Sequence, residues 1–144
     1  MEANGIAQAV LFSSLLLAVS VWDLRKRIIP DSICLLIALA GLIDFSPANF
    51  LGVLAALPLL IAALIKEGGI GGGDIKLTAA SGFVLGLPAG IAGLIFALSM
   101  VLFGHLSLRV ACKIKRKKPS VAKETAFPLA PFLGIGFMIA AIFK

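Results

Sequence analysis

Read for apolar and polar positions, the chain holds five stretches free of Asp, Glu, Lys and Arg: residues 5–22, 32–43, 45–65, 77–108 and 125–143. Ile28, Ile29 and Pro30 lengthen the second at its start. A helix needs ~20 apolar residues, rising 1.5 Å each, to cross a ~30 Å hydrocarbon core. The run 77–108 has 32 residues, roughly 48 Å as one helix, which is too long for one crossing. Gly86, Pro88 and Gly90 fall inside it and form a strong turn signal. Dividing the run there predicts six helices, the fourth of them short.

Composition agrees with a membrane setting. Hydrophobic residues make up 60% and charged residues 14% of the 144, and the mean hydropathy is +1.12. A water-soluble domain is nearer half apolar and a quarter charged. The expected fold class is therefore all-α, a polytopic membrane helix bundle forming one domain over residues 1–144. The longest polar segment, about 109–124, is too short to fold alone. Glu2 precedes the first apolar stretch and no Lys or Arg does, so the segment reads as a retained span and not as a cleaved signal.

The net charge of +6 matters less than its placement. Six spans with the N-terminus outside put Arg25, Lys26, Arg27, Lys66, Lys76 and the basic stretch 109–123 on the cytoplasmic side. That is 12 of 13 basic residues, with Lys144 left outside, as the positive-inside rule expects. Five spans would place Arg25 and the basic stretch on opposite sides. The basic stretch reads as an orientation signal that meets anionic lipid, so no nucleic-acid partner is expected. Cys34 and Cys112 form no CxxC pair and give no metal-site spacing. No cofactor is implied.

Asp23 ends the first predicted span and Asp74 begins the fourth, both on the cytoplasmic side. Residues 74–85 are only 12, about 18 Å of helix, so Asp74 is expected below the membrane surface unless the helix runs past Gly86. An ionisable residue at such depth is a functional candidate. Two close carboxyl groups share one proton. One then takes a proton from water while the other donates to a peptide carbonyl. Gly71, Gly72 and Gly73, lacking side chains, let a substrate backbone approach closely. Simpler roles stand beside these. Asp74 and Asp31 are each also placed as helix N-caps, and Asp23 as a partner of Arg25 and Arg27. Lys76 also reads as an interfacial anchor, His105 as a packed or interfacial histidine and Trp22 as an interface aromatic.

Three motifs occur in order. Asp23-Leu-Arg-Lys-Arg-Ile-Ile-Pro30-Asp31 resembles the first motif of the type IV prepilin peptidases, an aspartate and five residues before Ile-Pro-Asn or Ile-Pro-Asp. Gly71-Gly-Gly73-Asp74-Ile-Lys76 resembles their GxGD-x-Lys motif. Pro128-Leu-Ala-Pro131-Phe132-Leu-Gly-Ile-Gly136 resembles the start of their last span. The resemblance covers nearly the whole chain. It implies that Asp23 and Asp74 are the catalytic pair of a membrane aspartic endopeptidase, and that Pro30, Asp31, Gly71, Gly73 and Lys76 bind substrate or support the site. The implied substrate is a pilin-like, pseudopilin or preflagellin precursor, cut at the cytoplasmic membrane face. Larger relatives carry a paired-CxxC domain and also methylate the new N-terminus. No such insert separates the first two spans here, so cleavage without methylation is expected. The rival from another class is a non-enzymatic transport or assembly subunit whose acids bind ions or relay protons.

Overall fold

A computed structural model describes residues 3–26, 28–65, 70–114 and 129–143, with side chains described for 5–26, 28–65, 70–107 and 129–143. Arg27, Lys66, the stretch 109–123 with Cys112, Pro128 and Lys144 lie outside the described side chains. Every described element is helical. The six segments are α1 (Ala3–Lys26), α2 (Asp31–Ala40), α3 (Asn49–Ile65), α4 (Gly72–Leu85), α5 (Leu87–Ile114) and α6 (Ala130–Ile142). They follow the order that the apolar stretches predict. Two of them, α1 and α5, are long and apolar enough to cross a membrane alone. At 10, 14 and 13 residues, α2, α4 and α6 are only about 15, 21 and 20 Å long.

Local chemistry sets the two breaks that matter. In α3 a 3₁₀ turn, Val53–Ala56, separates two α-helical parts, and Leu57 N–H donates to Leu54 O. Pro58 follows. It has no N–H to offer the Leu54 carbonyl, so the tighter turn supplies the missing donor. The long apolar run breaks at Gly86, which sits at φ +80° and ψ 170°, a backbone region closed to most residues with a Cβ. Gly86 N–H still bonds Gly82 O at 2.7 Å, and Gly90 N–H bonds Gly86 O at 2.9 Å. Pro88 falls in the first turn of α5, where a helix needs no donor.

At the centre lies α4, packed against α2, α3, α5 and α6, while α6 also packs on α1, and α1 on α2. Leu77, Thr78, Ala80, Ser81, Gly82, Val84 and Leu85 of α4 are all buried. Phe12, Leu16 and Val19 of α1, Ile37 of α2, and Leu133 and Phe137 of α6 complete the core. The Ser81 hydroxyl is buried without a hydrogen-bond partner. The exterior is apolar too, with Val10, Leu64, Ile65, Leu102 and Phe103 among the exposed side chains. Water tolerates such side chains singly, whereas a continuous apolar exterior fits lipid.

Bare backbone holds the helices together. A Cβ on Gly52 would run into Gly82 O, and one on Gly82 into Gly52 O. The crossing of α5 and α6 repeats this, with a Cβ on Gly136 meeting Gly93 O. Small residues at membrane helix crossings let backbones approach where no hydrophobic force drives association. Gly104 of α5 faces open space, with nothing within 4 Å of its would-be Cβ. Gly52→Ala should therefore destabilise the protein by roughly 1–3 kcal/mol through overpacking. Gly104→Ala should be neutral or stabilising by about 0.5–1 kcal/mol. Thermal unfolding of both variants in detergent checks the contrast.

Candidate active site

Asp23 lies in the last turn of α1, four residues after the buried Val19 and on the same face. That placement buries it to 7% exposure, unusual for a carboxylate. Asp74 lies in the first turn of α4 and is half-buried. The two interact through their charges, although 51 residues separate them in sequence.

The start of α4 holds Asp74 in place. Gly71 is the N-cap, in extended backbone, and gives no side-chain cap bond. Asp74 is therefore not the N-cap; it is the third residue of the helix. Its N–H donates to Gly71 O at 3.1 Å. A Cβ on Gly71 would lie 3.2 Å from Asp74 Oδ2, so glycine keeps that carboxylate uncrowded. One turn further on, Thr78 Oγ1 donates to Asp74 O at 2.8 Å.

Residues of the two motifs also meet away from the acids. Ile29 is buried against the start of α4, and a Cβ on Gly73 would lie 2.9 Å from Ile29 Cβ. Pro30 is the N-cap of α2, in extended backbone, and no side chain caps that helix. Asp31, at the first helical position, is thus not the N-cap either. It accepts both of its contacts from Lys76 Nζ, at 2.8 and 2.7 Å. Lys76 is consequently tied to Asp31. The packing of Ile29 on Gly73 is not legible as a contact in the sequence; its only signal is an apolar residue between the charged turn and Pro30. Trp22 carries Lys26 Nζ at 4.6 Å from its ring centroid, a cation–π contact at the end of α1. His105 is exposed on α5.

Successive helical residues turn by 100°, so Lys76 points away from Asp74. The face with Asp74, Thr78 and Ser81 turns inward. The other face, with Lys76, Ala79 and Phe83, joins Asp31, Leu35 and Ala38 of α2 around an open groove of about 740 Å³. Gly73→Ala should push Ile29 off its seat and destabilise the protein by roughly 1–3 kcal/mol through overpacking. Adding Ile29→Ala should recover part of the loss, as a double-mutant cycle of thermal unfolding in detergent will measure.

Comparison with known proteins gives the chain a family. The model of the type IV leader peptidase family matches residues 10–108, which include both aspartates and all of the residues around them named above. A Bacillus subtilis protein, "Prepilin leader peptidase/N-methyltransferase", is 37% identical over 143 residues, covering 94% of this chain. The chain spans 55% of that relative's length. No solved structure matches. On the family match and on the extent of this identity, the chain belongs to the type IV leader peptidase family.

Proposed function

We propose that the chain is a membrane aspartic endopeptidase that removes the short leader of prepilin-like precursors at the cytoplasmic membrane face. One observation carries the reading: a buried Asp23 and a half-buried Asp74, from distant helices, interact through their charges in a chain of leader-peptidase kinship.

The chemistry follows from two carboxyl groups that hold one proton between them. The ionised carboxylate takes a proton from a water while that water's oxygen attacks the peptide carbonyl carbon. The protonated partner donates to the carbonyl oxygen, giving a neutral tetrahedral intermediate. Its collapse breaks the C–N bond as the amine takes up a proton, and the pair is left sharing one proton again. The pair titrates as a unit, so neither residue is assigned the acid or the base role. The reaction needs no metal or cofactor. Gly71 leaves its side of the Asp74 carboxylate open to a substrate backbone, while Gly73 seats Ile29, and Pro30 fixes the turn that brings Ile29 onto α4.

In this reading the six helices are six spans, with the N-terminus outside and both acids at the cytoplasmic end. A 14-residue α4 is about 21 Å long, less than the ~30 Å core. This supports an Asp74 set below the surface, where the bundle surrounds it. We also propose cleavage without methylation, since no paired-CxxC insert separates α1 from α2.

Co-expression with a prepilin, followed by mass spectrometry of the new N-terminus, tests cleavage and methylation together. Asp23→Asn and Asp74→Asn should each abolish processing while the protein stays in the membrane; normal processing by either variant overturns the mechanism. The rate should also follow a bell-shaped pH profile. Low pH protonates both carboxyls and removes the base, while high pH ionises both and removes the acid. A rate that is flat through both limbs contradicts a shared proton.

A further inference from the structure

Lys76 of α4 and Asp31 of α2 join the two motif segments by an ion pair. The amine sits 2.8 and 2.7 Å from the two carboxylate oxygens. Lys76 is two residues beyond Asp74 on α4, and Asp31 is the first residue of α2. The chain from Asp31 back to Asp23 is short and passes through Ile29, which rests on Gly73. Any sliding of α4 along the turn between α1 and α2 must therefore stretch the ion pair. It must also scrape Ile29 against the Gly73 backbone. We infer that Asp31 and Lys76 form a positioning pair that fixes the register of Asp74 against Asp23, an inference that rests on the peptidase reading above.

The pair is not itself catalytic. Lys76 faces away from Asp74 around α4, and both side chains are open, at 57% and 72% exposure. An exposed ion pair contributes little to stability. Register needs little, however, because a misplacement of about 1 Å already slows a reaction that depends on near-contact geometry. The exposure has a second consequence. Salt screens open pairs, so the register, and with it the turnover, depends on ionic strength.

Kinetics of the full chain in detergent micelles on a prepilin substrate test the inference. Asp31→Asn and Lys76→Gln should each lower kcat about two- to fivefold with KM unchanged. Asp31→Lys and Lys76→Asp, which set like charges face to face, should lower it further. The double reversal, Asp31→Lys with Lys76→Asp, should return kcat to within about twofold of the native value. Added salt should slow the native enzyme and leave the two neutral variants unaffected. Lys76→Arg, which keeps the pairing and protects against a folding artefact, should stay near native. A raised KM at constant kcat, or a double reversal no better than the single ones, overturns the positioning role and makes Lys76 a substrate contact. Normal cleavage by Asp74→Asn would overturn the peptidase reading itself, whatever the reversal gives.

Discussion

The architecture depends on backbones that touch. Where α3 crosses α4, Gly52 and Gly82 bring main chain against main chain, and no side chain separates them. In lipid, helices gain nothing from hiding apolar surface from one another, because the tails are as apolar as leucine. Close approach restores the drive to associate through many short van der Waals contacts. This is why the short α4 stays in the middle. Its neighbours enclose it on most sides and leave only its first turn and one outward stripe open.

That central seat decides what the first turn of α4 is able to do. A carboxylate is costly to bury unless something repays its lost hydration. Asp74 is only half-buried and lies at a helix N-terminus, where the backbone dipoles favour negative charge. Asp23 is nearly covered and lies in the last turn of α1. The two acids thus occupy unlike surroundings.

Much of this was readable in advance, and the shortfalls have physical reasons. The break at Gly86 was legible because three turn-forming residues fall within five positions, and only glycine fits the left-handed backbone found there. Asp23 and Asp74 stood out as the acids bordering apolar runs, and they lie in the last turn of α1 and the first turn of α4. The helix caps were misread. An Asp beside a helix start predicts a cap, but Gly71 and Pro30 already supply the extended backbone that a cap position needs. The acids fall inside their helices, free to make other bonds. The pairing of Asp31 with Lys76 spans 45 residues, and no local pattern encodes a contact that only the packing of α2 on α4 creates. The 3₁₀ turn in α3 was encoded by Pro58, yet an apolar run with one proline reads equally well as a continuous helix.

At the far end of the bundle, buried Gln8 of α1 donates its side-chain amide to Ala40 O at the end of α2, 3.1 Å away. The bond ties the start of α1 to the end of α2, and Phe12, Leu16 and Val19 hold α1 in the core along its length. Asp23 lies 15 residues beyond Gln8, about 22 Å along the helix axis. Its position is thus set by packing that reaches the opposite end of the molecule.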